Sequence, residues 1–566
     1  MSSSAPSAEQ PRLAACPLCG HEHLVYQFTH DLTPIVRCDG CTLLMRNPQP
    51  SDAELAAIYT DTYFLGTAPA GASDIAAFEQ EVNALKRATA ARYLNRVEKY
   101  RGWTAQTRRG KRLLEIGSGL GNMLIEARER GYDVTGVEYA PASVARANER
   151  LGEALVVQGT VESAPLEPGT FDVCVFADVI EHTRDPLAVV ARAWELLAPG
   201  GTLFVAIPSL DSWSARLMRE KWMEFKAEHL FYFDSRTLES LVVRAGFDRV
   251  RIARGTKTLS PGYVIAHFER FPVPVVSPMG RMARRVVPQA LLRQRMTVVA
   301  SGIDVLATKA DTGPVDGRRP TLSVVMPVFN EKQTFADVAT QLLAKDIPGL
   351  DIQLVIVESN STDGTRDEVR RFEDHPRVTV IYEDRPRGKG HGVRTGLAHA
   401  TGDFILIQDA DLEYDLNDYE ILLEPLRAFR CAFVLGARHG MDGKTWKMRH
   451  FTDQVLVSQV MNFGHLFFST LFNVVYGQRL RDPFTMYKVF RRDCLHGLTF
   501  ESNRFDFDWE LVGKLVRAGY TPLEIPVNYT SRSFKEGKKV NFWRDPLTYF
   551  RACFIPRRPD REVAAL

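Results

Sequence analysis

Short apolar runs recur along the chain, and each ends at a glycine or a polar residue. Runs of four to eight apolar residues bounded by turn residues are typical of strands buried on both faces of a parallel sheet. In chain order these runs are RLLEI (112–116), VTGVE (134–138), FDVCVFAD (171–178), LSVVMPVFNE (322–331), LVIVE (354–358) and FILIQD (404–409). The pattern predicts α/β architecture in both halves of the chain.

One segment has a helical pattern instead. No Asp, Glu, Lys or Arg occurs between residues 455 and 478, which is long enough to consider a membrane span. Its polar residues recur at helical spacing and form one stripe of Ser458, Asn462, His465, Ser469 and Asn473. The opposite face carries Leu456, Phe463, Phe467 and Leu471. The pattern favours an amphipathic helix, lying on the protein core or on a bilayer surface, over a span.

Length and charge narrow the class of protein. A chain of 566 residues should hold more than one domain, because single cores stop growing near ~250–300 residues. The net charge of +2 gives no support to a large nucleic-acid surface, which usually has a strong basic excess. The N-terminus, MSSSAPS, lacks a basic start followed by an apolar stretch. We expect a cytoplasmic protein, with peripheral contact at the inner face of the plasma membrane as an open alternative.

Four of the eight cysteines form two CxxC pairs, Cys16-Pro-Leu-Cys19 and Cys38-Asp-Gly-Cys41. Their separation matches the spacing of four-cysteine zinc sites. Four thiolates leave no open position on the metal, so the ion would fold a ribbon and would not catalyse. The sequence predicts a zinc ribbon over residues 12–46, with a redox pair or a ribbon that has lost its metal as the alternatives.

A glycine-rich turn, GSGLG (117–121), follows the first predicted strand of the N-terminal half. Alone, such a turn is a weak signal and could hold NAD. Glu115 lies on the strand just before the glycines, and Glu138 ends the next strand, where a carboxylate can accept both hydroxyls of a ribose. These details favour S-adenosylmethionine (SAM) over NAD.

Together with FDVCVFAD, LAPGGTLFVAIP (197–208) and two later strands (FDRVRI, 247–252; GIDVLAT, 302–308), this turn resembles the class I SAM-dependent methyltransferases. The closest subgroup comprises small-molecule and sugar methyltransferases that carry a zinc ribbon. The resemblance implies a cofactor site formed by Glu115, Gly117, Ser118, Gly119, Gly121, Glu138 and Asp178. One departure is Thr160-Val-Glu after Gly159, where the family often places an acidic residue directly. His182 is an acceptor-side candidate, or a core histidine.

Asp409-Ala-Asp411 closes the apolar run of residues 404–407. Two carboxylates one residue apart at a strand end suit Mg²⁺ or Mn²⁺, which is commonly held by carboxylates together with substrate phosphates. The Asp-X-Asp pair is a weak signal by itself. It gains weight from the two earlier strands, each of which ends in a polar turn.

These motifs, in this order, resemble a family-2 glycosyltransferase of the GT-A fold, most closely the polyprenyl-phosphate sugar transferases. The resemblance implies that Asp409, Asp411 and Glu413 hold the metal. It also implies a nucleotide-sugar donor site formed by Pro327, Asn330, Glu331, Glu358, Lys389 and Arg394. The family's Asp-Asp-Gly is replaced by Glu358-Ser-Asn, which leaves the base of the nucleotide open.

The same resemblance places basic residues towards an acceptor phosphate and the diphosphate, namely Arg438, Arg449, Arg532 and Lys538. Asp506, Asp508 and Glu510 stand where relatives with hydroxyl acceptors keep a base, and we take Asp508 and Glu510 as the catalytic candidates. A sugar hydroxyl needs its proton removed. A lipid phosphate, with a second pKa near ~6, arrives largely ionised.

The sequence thus predicts a zinc ribbon (12–46), a Rossmann-like methyltransferase domain (47–310), a linker (311–320) and a GT-A domain (321–556). The leading hypothesis is a bifunctional enzyme, an inverting, metal-dependent glycosyltransferase of envelope-glycan or lipid-linked sugar assembly fused to a methyltransferase. Its expected acceptor is polyprenyl phosphate or a glycan. The second hypothesis is a glycosyltransferase whose methyltransferase-like half is a scaffold. A nucleic-acid methyltransferase is the third and is disfavoured by the charge.

Overall fold

A computed structural model describes residues 10–58, 75–270, 276–310, 313, 319–438, 455–495 and 497–530. The chain divides into two compact units, Met1–Asp316 and Gly317–Leu566. Most of the predicted linker lies outside the described residues, and so do Arg449, Arg532 and Lys538.

The first unit combines eleven described strands with ten described α-helices. Its strands are β1 (Leu24–His30), β2 (Thr33–Cys38), β3 (Leu44–Arg46), β4 (Arg112–Ile116), β5 (Asp133–Glu138), β6 (Val156–Gln158), β7 (Phe171–Ala177), β8 (Leu197–Pro208), β9 (Phe231–Tyr232), β10 (Phe247–Leu259) and β11 (Met296–Lys309). Its helices are α1 (Asp52–Ile58), α2 (Ile75–Arg101), α3 (Asn122–Glu129), α4 (Pro141–Leu151), α5 (Pro186–Leu196), α6 (Trp213–Met218), α7 (Ser235–Arg244), α8 (Pro261–Arg270), α9 (Val276–Val286) and α10 (Gln289–Leu292).

Two sheets organise this unit. A small antiparallel sheet in the order β1-β2-β3-β9 carries the cysteine pairs near its turns. The main sheet has the order β10-β11-β8-β7-β4-β5-β6, in which β8, β7, β4, β5 and β6 run parallel and β11 is antiparallel to both β8 and β10. The predicted α/β class and the last two strands are confirmed. The carboxyl ends of β4, β5 and β7 meet at one edge, where open α/β sheets bind ligands.

The second unit is built on a single mixed sheet. Its described strands are β12 (Thr321–Val328), β13 (Asp351–Glu358), β14 (Val378–Tyr382), β15 (Phe404–Ile407), β16 (Phe433–Ala437), β17 (Lys488–Arg491) and β18 (Leu523–Pro526). Its described α-helices are α11 (Phe335–Ala344), α12 (Thr365–Arg370), α13 (Lys389–His399), α14 (Tyr419–Arg427), α15 (Val455–Tyr476) and α16 (Asp506–Arg517).

The strand order of this sheet is β14-β13-β12-β15-β17-β16-β18. The first four strands run parallel, and β17 is antiparallel to both of its neighbours. The three predicted strands are β12, β13 and β15, and their apolar side chains are buried in the main core. The polar turns after them therefore lie at one edge of the sheet.

Helix α15 is amphipathic as predicted, but its polar stripe faces inwards. Asn462 and Ser469 are buried, and Asn473 exchanges two hydrogen bonds with the backbone of Leu480. The aromatic rings point outwards, because Phe463 is 67% exposed and Phe467 48% exposed. Among the described residues, no helix combines the length and apolar character needed to cross a membrane.

Candidate functional sites

The four cysteines of the small sheet converge on one point. Their sulfur atoms all lie within 4.8 Å of one another, with Cys16–Cys41 and Cys19–Cys38 each at 3.5 Å. None of the four forms a disulfide. A tetrahedron with Zn–S bonds of about 2.3 Å has edges of about 3.8 Å, so the cluster has the dimensions of a four-thiolate zinc site. Hydrogen bonds among the four thiols lower the pKa of Cys19 and Cys38 and raise the pKa of Cys16 and Cys41.

The turn after β4 requires its glycines. Gly117, Gly119 and Gly121 all have positive φ angles of 72°, 53° and 72°, which side chains rarely adopt. A Cβ atom on Gly117 would also lie 2.4 Å from Cγ2 of Val179. The turn therefore brings bare backbone close to the carboxyl ends of β4 and β7, which is the geometry of a nucleotide-type cofactor loop.

Glu138 closes this loop from the end of β5. One carboxylate oxygen accepts the N–H of Gly119 at 2.8 Å, and the other accepts the N–H of Ala140 at 2.9 Å. Burial raises the pKa of Glu138. Each carboxylate oxygen has a second lone pair, so these bonds leave acceptor capacity for the hydroxyls of a ribose.

Two buried polar atoms beside the loop have no hydrogen-bond partner among the described residues, Oε2 of Glu115 and Oγ of Ser118. Burial, and then the charge of Glu138, raises the pKa of Glu115 well above its usual value. Buried polar groups are normally satisfied, so these atoms fit a site that takes a polar ligand. Asp178, predicted for the same site, is instead paired with Lys257 at 2.7 Å.

His182 lies on the short 3₁₀ turn Ile180–His182 that follows β7. Its Nδ1 is 3.1 Å from the carbonyl oxygen of Glu228. Burial lowers the pKa of His182 to about 4, so the ring is neutral at pH 7.

In the second unit, the turn after β12 is cross-linked to the turn after β13. The Asn330 N–H donates to Oγ of Ser361 at 2.9 Å, and Oδ1 of Asn330 accepts the N–H of Thr362 at 2.8 Å. The Glu331 N–H donates to Oγ1 of Thr365 at 2.9 Å. The two loops are thus held as one rim at the carboxyl edge of the sheet.

The Asp-X-Asp pair follows β15 at the same edge. Nζ of Lys389 lies 2.5 Å from Asp409, while Asp411 is buried and accepts the N–H of Glu413 at 3.1 Å. A carboxylate oxygen of Glu413 accepts the hydroxyl of Tyr529 at 2.9 Å. Burial alone would lower the pKa of Lys389, but the charge of Asp409 raises it. Lys389, predicted to bind the donor, therefore also balances the charge of the metal-site candidate Asp409.

Glu358 at the end of β13 is fully buried and already engaged. Its carboxylate accepts the N–H of Ser361 at 2.6 Å and Nε of Arg366 at 2.5 Å. Pro327 lies against helix α13, since a Cβ on Gly392 would be 3.2 Å from Cβ of Pro327. Both residues support the rim in this structure, and their contact with the donor stays a prediction.

Two of the predicted basic residues are held by protein groups. Arg394 donates to the side chain of Asn503. Arg438 forms a two-pronged pair with Asp482, with both nitrogen–oxygen distances at 2.8 Å, and lies 5.5 Å from the ring centre of Tyr529. Burial alone would raise the pKa of Asp482, but Arg438 lowers it.

The two catalytic-base candidates differ in their surroundings. Asp508 forms a buried ion pair with Lys488 at 2.7 Å. Glu510 is fully buried, accepts the N–H of Ser502 at 2.8 Å and pairs with Lys514 at 3.0 Å. Glu510 therefore fixes the loop before α16. The charge of Asp508 helps to raise the pKa of Lys389, so Asp508 lies near the Asp409–Lys389 pair.

Comparison with family models identifies both halves. The model for glycosyl transferase family 2 matches residues 323–498, and a methyltransferase-domain model matches residues 85–252. The chain therefore contains a methyltransferase domain followed by a family-2 glycosyltransferase domain.

Individual relatives match one half each. Glycosyltransferase AglJ of Haloferax volcanii is 24% identical over 225 residues, which is 40% of this chain and 66% of the relative. The ubiquinone biosynthesis O-methyltransferase of Xanthomonas campestris is 39% identical over 103 residues, 17% of this chain and 43% of the relative. The chain thus spans less than two thirds of the length of these relatives.

Among solved structures, a SAM-dependent methyltransferase of Thermotoga maritima, described as a possible histamine N-methyltransferase, is 21% identical. The match covers 39% of this chain and 91% of that chain, with a TM-score of 0.27.

Proposed function

We propose that the chain is a bifunctional enzyme that transfers a sugar from a nucleotide-diphospho-sugar and a methyl group from SAM. The observation that carries the first activity is the Asp409–Lys389 pair beside buried Asp411, at the edge where the donor-side turns also end. It combines carboxylates for a divalent cation with a positive charge for a diphosphate in one place. The matched family model covers this whole edge.

In this proposal Asp409, Asp411 and Glu413 hold Mg²⁺ or Mn²⁺. Such an ion would neutralise the diphosphate that leaves as the glycosidic bond breaks. Lys389 supplies a further positive charge at the same edge. We propose transfer as a single displacement with inversion, in which the acceptor attacks the donor directly and no covalent glycosyl-enzyme intermediate forms.

We propose polyprenyl phosphate as the sugar acceptor. A hydroxyl acceptor requires a base, but Asp508 is committed to Lys488 and Glu510 to the backbone before α16. A phosphate acceptor arrives ionised and needs neither. The outward-facing rings of Phe463 and Phe467 on α15 would let the domain rest on the bilayer that contains this lipid. Arg438, Arg449, Arg532 and Lys538 would face the phosphates.

The methyltransferase domain is proposed to bind SAM through the loop of residues 117–121, with Glu115, Ser118 and Glu138 as its polar contacts and Asp178 at the end of β7. The unsatisfied atoms of Glu115 and Ser118 support this assignment. SAM would supply an electrophilic methyl group, and the protein would orient it. The four cysteines would bind a structural zinc ion.

The second hypothesis retains the glycosyltransferase and makes the first unit a scaffold. It is favoured by the ion pair that already holds Asp178. Purified full-length protein assayed against a panel of nucleotide sugars, with and without Mg²⁺ or Mn²⁺, tests the glycosyltransferase. Calorimetric titration with SAM separates the two hypotheses, since only the bifunctional enzyme binds it.

A further inference from the structure

A second cluster of metal-ligand side chains, made of residues other than the four cysteines, lies in the first unit. Glu181 and His182 sit on the 3₁₀ turn after β7, and His229 lies just before β9. One ligand atom from each residue lies within 4.8 Å of the others. The sequence separates His229 from the other two by more than forty positions, so only the fold brings them together.

Glu181 is the most informative member of this cluster. Its side chain is 2% exposed, and neither carboxylate oxygen has a hydrogen-bond partner among the described residues. A buried carboxylate without a partner is costly and rare, and one explanation for such a group is a bound ion. An ordinary surface cluster of acidic residues is solvated. This site differs, because a buried carboxylate has both of its oxygens unsatisfied.

The two histidines are oriented as metal ligands are. Nδ1 of His182 lies 3.1 Å from the carbonyl oxygen of Glu228, so Nδ1 carries the proton and the Nε2 lone pair is an acceptor. His229 is hydrogen-bonded to the backbone of Glu224. The rings are perpendicular, with centroids 4.7 Å apart. A second-shell carbonyl that fixes the tautomer of a ligating histidine is a regular feature of metal sites.

The cluster also lies next to the proposed cofactor loop. Val179, two residues before Glu181, would collide with any side chain at Gly117, and β7 pairs directly with β4. Lysines in the same region are already paired, Lys257 with Asp178 at 2.7 Å and Lys226 with Glu224 at 2.8 Å. Neither lysine donates a hydrogen bond to the carboxylate oxygens of Glu181.

We propose that Glu181, His182 and His229 bind a divalent transition-metal ion, separate from the zinc of the ribbon. One carboxylate and two imidazoles is the ligand set of several catalytic zinc sites and of non-haem iron(II) sites, and it leaves coordination positions open. Because the cluster borders the proposed cofactor loop, we assign an open position to a hydroxyl of the methyl acceptor, since a bound metal ion lowers the pKa of an oxygen ligand and makes it a better nucleophile. That last assignment rests on the proposed methyltransferase function, whereas the metal site itself does not.

Metal content of the full chain tests the site. The Asp411→Ala background removes the third candidate metal site. After demetallation, reloading with Co²⁺ and desalting, this protein is expected to retain two equivalents of Co²⁺. Thiolate charge-transfer absorption should report the cysteine site, and weaker visible bands without it should report the second site. Glu181→Gln and His229→Ala should each lower the content to one equivalent and leave the thiolate band unchanged.

Two controls make the result specific. Glu167→Gln, at an exposed glutamate, should keep both equivalents, and Cys38→Ser should lose only the thiolate band. Glu181→Gln is nearly isosteric, so circular dichroism is expected to show it folded. Two results would overturn the proposal. One is a Co²⁺ content of only one equivalent in the Asp411→Ala background, which disappears with Cys38→Ser. The other is a content of two equivalents that survives in both Glu181→Gln and His229→Ala. SAM titration of the same samples distinguishes failure of the metal-site proposal from failure of the methyltransferase proposal. Protein that binds SAM but retains only one equivalent of Co²⁺ refutes the metal site alone. Protein that retains two equivalents but does not bind SAM refutes only the methyltransferase function.

Discussion

The two units differ in how some of the buried carboxylates at their candidate sites are partnered. In the glycosyltransferase domain the carboxylates at the functional edge are paired with cations, Asp409 with Lys389, Asp508 with Lys488 and Asp482 with Arg438. In the methyltransferase domain, Glu115 and Glu181 are buried with unsatisfied oxygens. The difference matches the ligands that we propose. A site for a diphosphate polyanion needs positive charge in place beforehand, whereas a site for a positively charged cofactor or a metal ion needs carboxylate oxygens that are still available to accept the ligand.

Loss of the carboxylate of Asp411, a proposed metal ligand, should have the largest effect on activity. Asp411→Ala is expected to lower sugar transfer by at least about a thousandfold, because no neighbouring residue can replace a carboxylate that neutralises the leaving diphosphate. The measurement is initial rate with a nucleotide sugar and Mn²⁺. The control is Asp374→Ala at an exposed aspartate, which should keep the wild-type rate. Substantial transfer by Asp411→Ala would remove the metal from the mechanism.

That prediction rests on a motif that is visible in the sequence. Other parts of the sites could not be predicted from the sequence. The strands, the cysteine cluster and the Asp-X-Asp edge follow from local patterns of apolar runs and spacing. The partner of Asp508 does not, because Lys488 lies in β17 and nothing in its neighbourhood distinguishes a buried lysine from an exposed one. Glu181 and His229 were missed for the same reason, since their proximity depends on how the chain returns to the sheet.

The orientation of α15 illustrates a further limit. Helical spacing correctly separated a polar from an apolar face, but it did not show which face is buried. The polar face turned inwards because Asn473 satisfies the backbone of Leu480 and Nε2 of His465 lies 3.3 Å from the carbonyl oxygen of Arg481. Burial of polar groups is favourable only with such partners, and partners are supplied by the tertiary structure.

Breaking the buried ion pair between Lys488 and Asp508 should destabilise the second unit. Lys488→Met is expected to lower the free energy of unfolding of this unit by about 3–5 kcal/mol, because it leaves Asp508 buried without its cation. Adding Asp508→Asn should recover much of the loss, since the uncompensated charge is then gone. Urea unfolding followed by tryptophan fluorescence gives both values. Equal losses in the single and double variants would mean that packing of Lys488, and not its charge, is responsible.

Replacing Glu138, the proposed ribose contact at the end of β5, should weaken SAM binding. Glu138→Ala is expected to weaken SAM binding by about 1–3 kcal/mol, the usual cost of leaving polar groups unpaired. Titration calorimetry measures the change, with Glu149→Ala at an exposed glutamate of α4 as the control. Unchanged SAM affinity in Glu138→Ala would place the ribose away from β5.

The smallest effect is expected at the membrane face. Phe463→Ser and Phe467→Ser should each weaken binding to vesicles containing polyprenyl phosphate by about 1 kcal/mol, because each removes part of an apolar surface from the bilayer. Co-sedimentation with vesicles gives the affinities. Leu523→Ser changes a half-exposed leucine elsewhere in the domain and should have no effect. Loss of binding in all three variants alike would show that the outward face of α15 has no special role.

The central claim is that one chain carries two working transferase sites, and titration of the full chain with SAM tests it most directly. The account predicts saturable binding of one SAM per chain, unchanged in Asp411→Ala and weakened in Glu138→Ala. Absence of SAM binding by folded protein that still transfers sugar would contradict it, and the first unit would then be a scaffold.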